Sequence, residues 1–275
     1  MAFLQLQDVR KSFETPKGRH LVLQGVDLTV EQGEFVAIVG YSGSGKTTLL
    51  SLIAGLIAPD DGEILLEGVP IQGPGPDRGI VFQNYSLLPW LTVFENIYLA
   101  VDAVYSGLST HEKHVRTEQW VRLVQLEEAM TKRPHELSGG MRQRVAVARG
   151  LAMDPKLLLL DEPFSALDAL TRAILQDELA RIWMEQRKTV LMITNDVEEA
   201  IRLAERIYPL TPGPGATLGP EIPVAIPHPR SRRLLSLDPA YQQVRRELTE
   251  FLIKARDRRG ASDLVSPTPH EVLRR

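Results

Sequence analysis

One stretch limits the fold of this chain more than any other. Residues 33–56 read GEFVAIVGYSGSGKTTLLSLIAGL: an apolar run, Phe35-Val36-Ala37-Ile38-Val39, meets Gly40, then a glycine- and serine-rich turn, then Lys46-Thr47-Thr48 and a helical pattern of Leu49, Leu52, Ile53 and Leu56. This is strand, loop, helix. In such an arrangement the backbone N–H groups of Gly40, Tyr41, Ser42, Gly43, Ser44 and Gly45 and of the helix start point into one hollow the size of a phosphate, and side chains at the glycines would block it. The spacing fits a P-loop, in which Lys46 reaches the β- and γ-phosphates as a point charge and the Thr47 hydroxyl is a Mg²⁺ ligand, with Thr48 beside it. The chain is therefore expected to fold as an α/β protein around a nucleotide.

The 275 residues are enough for one large domain or two small ones, and 43% apolar with 24% charged residues is an ordinary globular balance. A net charge of −3 draws no nucleic-acid backbone to the molecule as a whole. The sequence contains no cysteine, which excludes disulfides, thiolate chemistry and cysteine-type zinc sites. No apolar run approaches the ~18 residues needed to span a bilayer, and residues 1–5 lack a signal-peptide pattern, so the chain is expected to stay in the cytosol.

Ahead of the P-loop, residues 4–9 and 21–30 alternate like strands with a turn at 15–18, predicting antiparallel hairpins beside the P-loop strand. Phe13 sits near the tip of this region, either as an ordinary half-exposed ring or as one that stacks on adenine. After it, Gly79-Ile80-Val81-Phe82 reads as a buried strand ending at Gln83, which is either a plain strand-end amide or a group facing the ligand. Residues 84–156 are predicted as a helical insertion. Within it, Ser138-Gly139-Gly140 forms a second bare helix N-terminus, followed by Val145, Ala148 and Leu151 facing inward.

Pro155 ends that helix before Leu157-Leu158-Leu159-Leu160, a strand buried on both faces that delivers Asp161 and Glu162 at its end. Asp161 suits Mg²⁺, and Glu162 suits polarising a water that attacks the γ-phosphate. Ser165 to Asp168 opens a further helix to about Arg187. Residues 189–194 form a buried strand ending at Asn195, Asp196 caps a helix to about Ala204, and 207–210 read as a last core strand. Domain bounds are expected at 1–235 for the main domain, 236–259 for a C-terminal amphipathic helix and 260–275 for a mobile tail.

In order, GYSGSGKTT, Gln83, LSGGM at 137–141, LLLLDE and SALD resemble the motifs of the ATP-binding cassette ATPases, the nucleotide-binding subunits of ABC transporters, over roughly residues 4–210. The resemblance implies a mixed sheet core with an antiparallel β subdomain and an inserted α-helical subdomain. It implies ATP and Mg²⁺ as cofactors, with Thr47, Gln83 and Asp161 toward the metal, Phe13 on the adenine, and Asp168 of SALD among the nucleotide-binding groups. It also implies head-to-tail pairing with a second such subunit, so that Ser138, Gly139 and Gly140 of one close over the γ-phosphate held by the other. Permease subunits in the membrane, an indirect link to a substrate-binding protein, and a peripheral place on the cytoplasmic face of the inner membrane follow from the same resemblance.

One position departs from that pattern. The family places a histidine after the strand at 189–194, where this chain has Asn195, an amide that donates a hydrogen bond but does not become a cation. This makes a hetero-pair attractive and predicts hydrolysis that is slower or leans more on Glu162. Residues 73–97, 211–219 and 226–230 resemble the nitrate, sulfonate, taurine and bicarbonate importer branch, nitrate first; bicarbonate, cyanate, sulfonate and taurine remain alternatives. A soluble ABC ATPase and a weakly hydrolysing regulatory subunit are the competing readings. Pro89, Trp90 and Leu91 are either contacts for a membrane subunit or core.

Overall fold

Two sheets and a helical layer build the molecule; the computed structural model describes residues 2–16, 18–165, 167–231 and 235–265. The central sheet has the order β10-β9-β3-β8-β7-β6, with β3 (Phe35–Val39), β6 (Arg78–Val81), β7 (Leu157–Asp161), β8 (Thr189–Thr194) and β9 (Arg206–Pro209) parallel and β10 (Ile222–Pro223) antiparallel at one edge. Every residue of β3, β7 and β8 is buried, as unbroken aliphatic runs require when both faces of a sheet are covered. Each such Leu, Ile or Val contributes roughly 1.5–3 kcal/mol on leaving water.

The two faces separate by residue parity. Val36, Ile38, Leu157, Leu159, Leu191 and Ile193 pack on one side against helix α1 (Lys46–Ile53) and a second sheet. Phe35, Ala37, Leu158, Leu160, Val190 and Met192 pack on the other against α4 (Gly139–Ala152), α5 (Ala169–Gln186), α6 (Val197–Leu203) and the C-terminal helix α7 (Pro239–Val265). That last helix buries Tyr241, Val244, Leu248 and Leu252 on the main body rather than leaving its apolar stripe for a neighbour. It runs past the expected end at 259; the remainder of the predicted tail, 266–275, lies outside the described residues.

The N-terminal strands form the antiparallel subdomain that the resemblance implies, but not in the place beside the P-loop strand that their pattern suggested. β1 (Leu4–Thr15) and β2 (Gly18–Val30) form a hairpin, but they do not flank β3: with β4 (Asp61–Leu66) and β5 (Val69–Pro70) they make a separate antiparallel sheet, order β2-β1-β4-β5, stacked over α1. The reason lies in their alternation. Leu4, Leu6, Val9, Val26, Leu28 and Val30 bury one face only, which suits a covering layer and not a place inside a sheet buried on both sides. Two smaller differences follow the same theme. Helix α1 stops at Ile53, leaving Leu56 exposed, and β10 adds a strand after the expected last one.

Three helices, α2 (Val93–Val104), α3 (Thr110–Leu123) and α4, enclose a separate core of Val93, Ile97, Val101, Val121, Val145 and Ala148. Helix α2 was not read from periodicity, although Thr92 and Glu95 carry the signal for its start: the Thr92 hydroxyl accepts from the Glu95 N–H while the Glu95 carboxylate accepts from the Thr92 N–H.

Candidate functional site

The carboxyl ends of four adjacent parallel strands meet at one edge of the central sheet, with Val39 level with Thr194, Asp161 with Ile193, and Val81 with Leu160. Chain exits at that edge therefore converge on the loop after β3. Gly40 is held close by its neighbours, since a Cβ there would lie 2.9 Å from Ser44 Oγ and 3.1 Å from the Leu210 carbonyl. Gly45 caps α1 at φ 94° and no side chain bonds the helix's first amides. Any L side chain at Gly45 would be strained by that φ and would press on Val22 at 2.9 Å. Ser44 Oγ is buried in this loop with no hydrogen-bond partner, a donor that a phosphate oxygen satisfies.

Lys46 is 4% exposed, and its ammonium is held inside the loop. Nζ donates to the Gly40 and Tyr41 carbonyls at 2.9 Å each and lies 3.3 Å from Glu162 Oε1. Glu162 in turn accepts from Gln83 Nε2 at 3.3 Å. A left-handed backbone at Glu162, φ 44°, with its N–H bound to the Ile193 carbonyl at 2.9 Å, directs this carboxylate off the end of β7. Beside it the Thr47 hydroxyl donates to Asp161 Oδ1 at 3.4 Å. Burial pushes the Asp161 carboxyl above its usual range against the pull of that hydroxyl, and the Glu162 charge adds to the rise.

Phe13, Ser42, Gly43, Gly45, Lys46, Thr47, Thr48, Gln83 and Glu162 thus line one cleft of about 430 Å³. Phe13 offers an exposed ring at its rim. His20, Val22, Gly213 and Pro214 also line it and were missed by sequence reasoning. Only the β1/β2 register, which sets Phe13 opposite His20, brings His20 there, and no local signal marks it.

Five of the expected residues sit elsewhere. Ser138, Gly139 and Gly140 do not line the cleft; Ser138 instead caps α4, its Oγ accepting from the Met141 N–H at 3.3 Å. A Cβ on Gly140 would lie 2.5 Å from Thr171 Cγ2, so α4 approaches α5 closely at this turn. Asn195 is exposed one residue beyond β8 and outside the cleft's lining. Asp168 caps α5 through the Leu170 and Thr171 N–H groups, which hold its carboxyl below the usual range, the Thr171 bond first.

The sequence model for ABC transporters matches residues 23–165. The chain belongs to the ABC transporter ATP-binding family. Among its relatives, the nitrate import ATP-binding protein NrtD of Synechococcus elongatus is 50% identical over 252 residues, covering 92% of either chain. The bicarbonate transport ATP-binding protein CmpC of the same organism is 53% identical over 251 residues, covering 91% of this chain and 38% of its own. A dimeric post-hydrolysis ATP-binding cassette bound to ADP and Pi superposes with a TM-score of 0.74 at 34% identity, covering 81% of this chain and 99% of its own. The fold is thus the ABC ATPase fold, and the cleft belongs to an ABC cassette that binds ATP.

The donors beside Thr47 are hard oxygens, a hydroxyl, a carboxylate and the Gln83 amide, which suit Mg²⁺. Among the described residues no group of three or more His, Cys, Asp or Glu gathers that could hold a metal by itself. No helix among the described residues is long and apolar enough to cross a membrane.

Proposed function

We propose that this chain is the energy-coupling ATPase subunit of an importer for a small anion, nitrate or bicarbonate, held peripherally at the cytoplasmic face of the inner membrane. The observation that carries the reading is the convergence of Lys46, Thr47, Gln83 and Glu162 in one cleft at the end of a parallel sheet, with the buried Asp161 held against Thr47 beside it. The substrate class rests on the printed activities of NrtD and CmpC.

In the proposed reaction the P-loop amides and Lys46 bind the triphosphate and oppose the charge that grows on the γ-phosphate. Lys46 exchanges its loop carbonyls for phosphate oxygens, which frees Glu162 from the ammonium. Glu162 then orients water in line and takes its proton. Thr47, Asp161 and Gln83 would hold Mg²⁺, which would supply positive charge against the phosphates. Phe13 stacks on the adenine, and Ser138, Gly139 and Gly140 of a partner subunit, with Asp168 and Asn195 at the same junction, close the far side of the γ-phosphate.

A second, related subunit is the favoured partner over another copy. Two distinct nitrate import ATP-binding proteins of Synechococcus elongatus match this chain, NrtD along 92% of its length and NrtC along 39%. Trp90, 65% exposed, is not core, which favours a role for Pro89 to Leu91 in receiving a membrane subunit. The test is reconstitution with the permease subunits and binding protein in vesicles. Nitrate or bicarbonate uptake that stops with Glu162→Gln supports the reading, and Trp90→Asp is expected to uncouple uptake while sparing ATP binding. ATP turnover with no uptake of either anion would overturn the substrate assignment.

A further inference from the structure

A polar network lies buried behind the exposed Asn195. Thr194, Gln176, Glu199 and Arg202 are 2%, 5%, 5% and 6% exposed in a layer that is otherwise apolar. Thr194 Oγ1 accepts from the Asp196 N–H at 3.0 Å and donates to Glu199 Oε2 at 2.5 Å. Glu199 Oε1 accepts from Gln176 Nε2 at 3.0 Å, and Gln176 Oε1 accepts from Arg202 Nη1 at 2.9 Å. Arg202 completes the chain on Asp177. Every hydrogen in this path has a place when Glu199 is an ionised double acceptor, and the turn Thr194-Asn195-Asp196 is then clamped on both sides of Asn195.

From this geometry we infer that Glu199 is a positioning residue for the hydrolysis reaction: as an anion it fixes the turn that presents Asn195, and on protonation it releases it. The inference rests on the proposed approach of Asn195 to the γ-phosphate. A protonated Glu199 offers its own hydrogen toward Thr194 Oγ1, which already receives the Asp196 N–H, so the threonine hydrogen loses its acceptor and the clamp weakens. The groups facing Glu199 are Asp196 beyond β8, Arg172, Gln176 and Asp177 on α5, Glu198 and Arg202 on α6, and Tyr241 and Arg245 on α7. Among them Arg172 lies 3.7 Å from Asp196 and Arg245 3.7 Å from Glu198. A cleft of about 350 Å³ between α5, α6 and α7 is lined by Glu199 and gives protons a route to it. Burial pushes the Glu199 carboxyl up to about 7, with the Thr194 hydroxyl opposing the rise, so the change falls in the working range. Asn195 does not itself titrate, unlike the histidine it replaces.

The test is the pH profile of kcat for the assembled transporter between pH 6 and 8. For one controlling group near 7, kcat at pH 6 is expected about tenfold below that at pH 8, with KM for ATP unchanged. Glu199→Gln should flatten the profile. Thr194→Val should also flatten it and Thr194→Ser should keep it, which carries the test if Glu199→Gln does not fold. In an Asn195→Ala background, Glu199→Gln should change kcat no further. An acid limb that persists in Glu199→Gln, or effects of the two substitutions that add, overturn the inference. Asn195→Ala with undiminished kcat overturns the underlying role of Asn195 instead, and the inference with it. Stability has the opposite sign: a carboxyl raised by folding binds more protons in the folded state, so the melting temperature should fall as pH rises from about 4.5 to 7, and less so in Glu199→Gln.

Discussion

Two glycine-rich turns begin helices in this molecule, and they are satisfied in different ways. At α1 the capping position is a glycine with no side-chain bond to the helix, and Ser44 Oγ beside it is buried without a partner. At α4 the Ser138 hydroxyl takes the Met141 N–H itself. The first turn has donors that nothing in the chain satisfies, so it is built for an anion from the start. The second closes on itself; under the proposed pairing it would exchange that internal bond for one to a partner's nucleotide. The difference separates a turn left open for a ligand from one that its own chain has already satisfied.

Substitutions rank this contrast. Glu162→Gln, which leaves both turns intact, should lower ATP turnover of the assembled transporter by ~10²–10⁴, roughly 3–5 kcal/mol, with nucleotide titration unchanged. Lys46→Ala should weaken nucleotide binding by the lone chain by about ten- to a hundredfold, the worth of ~1.5–3 kcal/mol for bonds to a charged group. Ser138→Ala should cost about 1 kcal/mol of stability through the lost cap, read as a shift in denaturant midpoint, and leave nucleotide binding by the lone chain as it was. Weakened binding there would erase the contrast between the turns. The smallest effect is expected for Asn195→His, a rise in turnover of less than about tenfold; an unchanged rate would mean that the amide costs nothing in hydrolysis.

Much of the catalytic edge was legible because its pieces are contiguous. Phe35 to Val39 and Leu157 to Leu160 announce doubly buried strands, and the groups that follow them, Lys46 and Asp161-Glu162, have nowhere to go but the sheet's carboxyl edge. Helix α4 was equally plain from Val145, Ala148 and Leu151, all buried. The hairpins were mislaid because alternation reports how many faces a strand buries and not which sheet receives it; β1 pairs with β4 across more than fifty residues of sequence. His20, Gly213 and Pro214 were invisible for a similar reason, each reaching the cleft through the placement of a whole layer.

By itself, the order of residues determined the chemistry available: a glycine turn that only hydrogen side chains permit, a lysine and a threonine at its exit, and two carboxylates after an aliphatic strand. These are local matters of backbone freedom and side-chain type. Tertiary structure decided which of those groups meet. Parallel pairing of β3, β8 and β7 sets Glu162 against Lys46, and the packing of α5 on α6 ties Gln176 and Glu199 to Thr194. Such contacts arise only once distant segments have been forced together by burial, and no spacing within one segment encodes them.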